Sequence, residues 1–143
     1  MEPCIVLAPA AADHALAGMM AQLLRSNLDE RPAKKDLLAR MSGRVAMVYE
    51  DLGQAVTLRF ARGRVDVDAG IVGIPDVTIR AESELVLAMS RMELEPRTGL
   101  PDPRGEVTKQ VLDATRAGSL EVHGLLPSLP LVARLTRLLS VTA

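Results

Sequence analysis

The side chains of this sequence that could carry chemistry are few and widely spaced. A metal site needs His, Cys or carboxylate ligands clustered at suitable intervals. His14, His123 and Cys4 stand far apart, and neither histidine has a second one four residues away. His123, between Val122 and Gly124, reads as a solvent-facing strand residue, and His14 beside Asp13 as first-turn helix polarity. A hydrolytic site needs a serine paired with a base. Ser42, Ser83 and Ser128 instead occupy turn or helix-cap positions, and there is no nucleophile elbow. Gly70 to Gly73 (Gly-Ile-Val-Gly) lacks the strand–turn–helix setting that aims backbone N–H groups at a phosphate. Asp66 and Asp68, alternating beside Arg64, have the pattern of a solvated sheet face. No catalytic residue, metal ligand or cofactor is expected from these groups.

What remains is apolar. Hydrophobic residues make up 48% of the 143, yet there is no Trp, one Tyr and one Phe, against seven Met. The interior is therefore built from aliphatic side chains and methionine, which fills irregular gaps without demanding one partner shape. A plain core is the default for such a composition, and the same lining would suit a cavity for a flexible apolar ligand. The net charge of −1, with basic residues scattered, lacks the basic face of a nucleic-acid binder. Arg outnumbers Lys fourteen to three, which reads as genome bias. A lone Cys4 cannot form an internal disulfide, which favours a reducing compartment. The apolar stretch from Cys4 to Ala12 follows Glu2 rather than basic residues and contains Pro9, which argues against a signal peptide. No run approaches the ~20 apolar residues of a membrane-spanning helix. A cytoplasmic protein is expected.

The elements that would position these residues follow from periodicity. Residues 1–12 read as a flexible arm preceding one domain, 13–143. From Asp13 as N-cap, Leu16, Met19, Met20, Leu23 and Leu24 recur at helical spacing to about Leu28. A second short helix, Ala33 to Met41, carries Leu37, Leu38 and Met41 on one side. The period then becomes two. Val45, Met47 and Tyr49, then Val56, Leu58 and Phe60, then Val65 and Val67 predict a three-stranded antiparallel meander with one apolar face. Ala69 to Asp76 is a connection, and Val77 to Ala81 a fourth strand. Glu82 or Ser83 caps a helix presenting Leu85, Ala88, Met89 and Met92. Glu93 to Glu106, with three prolines and two glycines, is a long loop. A helix from Thr108 to Ala117 turns Val111, Leu112 and Thr115 inward. Leu120 and Val122 mark a fifth strand, and Ser128 caps a last helix bearing Leu131, Val132, Leu135, Leu138 and Leu139. The expected class is α+β.

Four segments carry a resemblance. Met41-Ser42-Gly43-Arg44-Val45 leads into the first meander strand, and Ala61-Arg62-Gly63-Arg64-Val65 forms the second turn. Pro75-Asp76-Val77-Thr78-Ile79 precedes an acidic cap and the helix Leu85 to Met92. Ala117-Gly118-Ser119-Leu120-Glu121-Val122-His123-Gly124 precedes the terminal helix. In this order and spacing they resemble the sterol-carrier-protein-2 family over Leu38 to Val141. The resemblance implies a five-stranded mixed sheet with a crossover between its third and fourth strands, helices over one face, and an apolar tunnel between them. It further implies binding of fatty acyl, sterol or isoprenoid lipids without catalysis; some bacterial relatives assist quinone biosynthesis. The loop Glu93 to Glu106 and the helix after it are longer than the family pattern, and the N-terminal arm has no counterpart there.

On this reading the partner is a hydrophobic small molecule, with a transient membrane or enzyme partner left open. Its cavity would lie between Val56, Leu58 and Val67 of the sheet and Leu85, Met89 and Met92 of one helix. Val111 and Leu112 of the next helix and Leu135, Leu138 and Leu139 of the last would complete it. Each methylene withdrawn from water contributes about 0.8 kcal/mol, so such a slot needs little polar definition. The last helix docks on the sheet by default; its broad Leu-rich face beside Arg134 and Arg137 would also suit a lid or a membrane-touching surface. Two other functions compete: an interaction module with a collapsed cavity, and a subunit supplying a hydrophobic pocket to a catalytic partner.

Overall fold

Three consecutive strands form the centre of the structure: β2 (Gly43–Tyr49), β3 (Gln54–Ala61) and β4 (Arg64–Ala69). Both pairings are antiparallel, as their alternation predicts. Arg62 and Gly63 both have positive φ (52° and 78°), the requirement of a two-residue turn whose twist matches the flanking strands. The register sets Val45 opposite Leu58 and Leu58 opposite Val67, so the apolar residues form continuous rows on one face.

The computed structural model describes residues 4–7, 14–95 and 101–140. Around the meander lie β1 (Cys4–Leu7), α1 (Ala15–Glu30), α2 (Lys34–Ala39), β5 (Val77–Ala81), α3 (Ser83–Ser90), α4 (Glu106–Arg116), β6 (Glu121–His123) and α5 (Leu129–Leu139). The class is α+β, with a mixed sheet covered by helices. The strand order is β1-β4-β3-β2-β5-β6.

The sheet therefore has six strands rather than the expected five. The added strand is β1, from residues assigned to the arm, and it pairs in parallel with β4. Four residues are too few to display alternation, and this strand exists because it covers the edge that β4 would otherwise leave open. Arg25 of α1 donates to the Ile5 carbonyl at 3.3 Å and ties strand to helix. Asp13 lies outside the described residues; His14 is the N-cap of α1, its Nδ1 accepting from the Ala17 N–H at 3.2 Å.

The crossover from β4 to β5 is an extended strap, residues 70–76, rather than a helix. It runs over the sheet face opposite the helices. There the Thr57 hydroxyl donates to the Gly70 carbonyl (2.6 Å) and accepts from the Val72 N–H (3.1 Å). Beneath it Asp68 is buried and paired with Arg59 at 2.8 Å, so this part of the face is not the solvated surface the sequence suggests. The strap ends where Asp76 accepts from the Arg44 N–H at 2.8 Å. β5 then pairs in parallel with β2.

On the other face α1 packs against β1, β3 and β4, while α5 packs against α1, α2 and α3. The core lies between, with Leu24 of α1, Leu38 of α2, Val45, Val56, Leu58 and Val67 of the sheet, and Leu135 and Leu138 of α5 all buried. α4 packs along α3 and turns Thr108 and Val111 inward. Leu112 and Thr115, expected inward, face solvent, because only one flank of this helix is covered.

Candidate functional site

α1 is apolar over more of its circumference than it buries. Ala17, Met20, Ala21, Leu24 and Leu28 enter the core, which leaves Leu16, Met19 and Leu23 along one flank. α3 lies across from that flank with Val86, Leu87 and Ser90, and the end of β2 with its following turn supplies Tyr49 and Leu52. Together these residues line an open groove of about 520 Å³. Its rim carries unusually exposed apolar side chains from three elements: Met19 (66% exposed), Leu87 (59%) and Leu52 (49%).

A second, smaller apolar space adjoins the groove. Met20, Leu23, Val86 and Ser90 also line a smaller slot of about 80 Å³ that reaches Met47, Ile79 and Val122 of the sheet. Met89 of α3 and Val132, Leu135, Thr136 and Leu139 of α5 close it. Its two hydroxyls are bonded within their own helices, Ser90 to the Leu87 carbonyl (2.6 Å) and Thr136 to the Val132 carbonyl (2.9 Å). The lining therefore presents carbon to whatever enters. Tyr49 is the one phenol at the site. Burial pushes its hydroxyl up to about 12, so it stays neutral, and it makes no hydrogen bond among the described residues.

The outer end is polar and acidic. Ser83, the first residue of α3, donates its backbone N–H to Asp51 Oδ1 (2.8 Å) and its hydroxyl to Asp51 Oδ2 (2.6 Å). Those two bonds, the hydroxyl's first, hold the Asp51 carboxyl below its usual range. The sequence suggests a cap from Glu82 or Ser83 themselves; neither caps α3 with its side chain, and Asp51 serves from thirty-two residues away. Glu84 also lines this end.

Of the residues expected to line a cavity, Met89, Leu135 and Leu139 line the inner slot. Val56, Leu58, Val67 and Leu138 are wholly buried core and border neither the groove nor the slot. Met92 and Val111 are buried, Leu85 is partly buried against the core, and Leu112 is 45% exposed on α4. The α1 flank, Met47, Tyr49, Ile79, Val86 and Val122 line the groove or slot without being among the residues that the sequence marks for a cavity. The over-wide apolar face of α1 was the signal available for the first of these.

A polar cleft of about 350 Å³ between Gly43, Asp76, Ser128 and Arg134 pairs no nucleophile with a base. No three His, Cys, Asp or Glu side chains among the described residues come together as a metal site. His123 is exposed, 3.4 Å from Glu121. Ser128 sits at the N-cap of α5 without a side-chain capping bond. No helix among them is long and apolar enough to cross a membrane.

Comparison with known proteins bears on this arrangement. The profile of the SCP-2 sterol transfer family matches residues 20–107, more than half of the chain. That span includes Met20, Leu23, Tyr49 and the whole of α3. Among solved structures, the UbiJ-SCP2 ubiquinone synthesis protein is similar over 87% of this chain and 92% of its own, at 22% identity and a TM-score of 0.61. The stereoselective inverting sec-alkylsulfatase Pisa1 from Pseudomonas sp. is similar over 76% of this chain but only 14% of its own, at 18% identity and a TM-score of 0.51. A sterol carrier protein 2 structure is similar at 18% identity and a TM-score of 0.49, over 82% of this chain and 88% of its own. At these identities the first two likenesses are of fold. No curated protein matches the chain.

Proposed function

The chain belongs to the SCP-2 sterol transfer family, and we propose that it binds a lipid-like molecule and carries or presents it without transforming it. A fatty acyl, sterol or isoprenoid ligand would lie with its apolar part along the α1–α3 groove and its tip in the slot below. The observation that supports this reading is an apolar groove and an apolar slot set side by side, sharing Met20, Leu23, Val86 and Ser90 as lining. At about 0.8 kcal/mol per methylene, ten buried methylenes would contribute roughly 8 kcal/mol, set against the cost of association. Methionines at positions 19, 20, 47 and 89 suit ligands of differing shape, since their side chains re-pack readily.

Ser83, Asp51, Ser90 and Thr136 are engaged in a cap and in intrahelical bonds, which supports carriage over catalysis. A second reading, an accessory protein presenting its ligand to a separate enzyme, is favoured by the fold likeness to a ubiquinone synthesis protein over nearly all of both chains. The two readings share the same groove.

Native mass spectrometry of freshly purified protein, followed by organic extraction, tests the proposal. A co-purifying acyl chain, sterol or isoprenoid is expected. Protein that is empty and also fails to take up an uncharged fluorescent probe such as pyrene would overturn it.

A further inference from the structure

Resting on that reading, we propose that the groove selects ligands with an uncharged head, such as an alcohol, phenol or ester, over ligands ending in a carboxylate or phosphate. Among the described residues, neither groove nor slot has a basic side chain to hold an anion. The inner slot has no charged lining residue, and its Ser90 and Thr136 hydroxyls already donate to carbonyls. Among the described residues no Lys or Arg lines the outer groove either, whereas Glu84 does.

The feature at the mouth that would ordinarily attract an anion is the N-terminus of α3. Asp51 already holds it, taking both the backbone N–H and the hydroxyl of Ser83. Glu84 stands in the first turn of the same helix, and Glu50 and Glu82 are exposed beside these residues in sequence. None of the four carboxylates is in an ion pair among the described residues. An anionic head arriving here meets like charge without a counterion among the described residues. A neutral head meets no such penalty. A hydroxyl can donate to Glu84, and the Tyr49 phenol is a neutral group that can donate or accept.

The experiment is displacement of pyrene from the full chain at neutral pH by myristyl alcohol, methyl myristate and myristate, which share one tail. Myristate is expected to displace at least tenfold more weakly than the other two. Glu84→Gln should narrow that gap, and Glu84→Lys should close or reverse it. Myristate as potent as its methyl ester in the wild type would overturn the inference while leaving the groove as a lipid site. A gap that Glu84→Lys leaves unchanged would also overturn it, since the rim charge would not then be its cause. If pyrene does not bind and none of the three is taken up, the carrier reading fails and this inference with it.

Discussion

Lys34 is 4% exposed, a rare position for an ammonium group, and its surroundings explain why it is tolerated. The last carbonyls of a helix have no intrahelical donor. At the end of α5, Lys34 Nζ donates to the Ser140 carbonyl at 2.5 Å and lies 3.5 Å from that of Leu138. Asn27 Nδ2, also buried, donates to Leu138 at 3.0 Å. Two polar residues on α1 and α2 thus finish a helix more than a hundred positions later. Burial, with Arg31 and Arg137 close by, pushes the Lys34 ammonium down from 10.5 to about 8. Between those values the unfolded chain holds more protons than the folded one, so stability rises with pH across that window. Urea midpoints measured from about pH 7.5 to about 9.5 should climb for the wild type, and this climb should be missing in Lys34→Met. Tyr49 has the opposite sign, its contribution being lost between pH 10 and about 12, so it does not interfere in that range.

At the scale of elements, the site is a gap between two helices that each find partners elsewhere. α1 is anchored by β1, β3, β4 and α5, and α3 by α4 and α5, while Met20, Leu23 and Val86 line the space between α1 and α3. A bulky residue at that approach should block the groove without disturbing either anchor. Leu23→Trp, at a partly buried position shared by groove and slot, is expected to weaken pyrene uptake at least tenfold with little change in melting temperature. A large drop in melting temperature would show instead that Leu23 is core. The strap is an element of another kind: it carries β4 to β5 with two glycines at positive φ and with Thr57 bonded beneath it. Gly73 suits glycine because its φ of 73° is a backbone conformation that other residues rarely adopt.

For the whole molecule, α5 is the element that joins the others. Leu131, Leu135 and Leu138 are buried, and the helix packs on α1, α2 and α3 at once. A lid that opens would have to expose all three leucines and strip Asn27 and Lys34 of their acceptors, which would cost several kcal/mol at about 1.5–3 kcal/mol per buried leucine. A chain ending before Pro127 should therefore lose cooperative thermal unfolding altogether, as read by circular dichroism. If that truncation stays folded and loses only ligand uptake, α5 is a lid after all.

The sequence alone determined the local grammar. The two-residue alternation of β2, β3 and β4, the Arg62–Gly63 turn and the 77–81 strand all stand as their patterns predict, because each depends on neighbours within a few residues. The order of segments was also enough to point to the family. Tertiary structure decided whatever depends on partners distant in sequence. β1 becomes a strand only against β4, Asp51 becomes a helix cap only beside Ser83, and Lys34 becomes buried only under the end of α5. The groove was decided in the same way. Apolar periodicity marks which face of a helix avoids water, but a filled core and an open groove place the same demand on residue type. Val56 and Leu58 in the core, and Leu16 and Leu23 on the groove, are alike in sequence and differ only in what the fold sets opposite them.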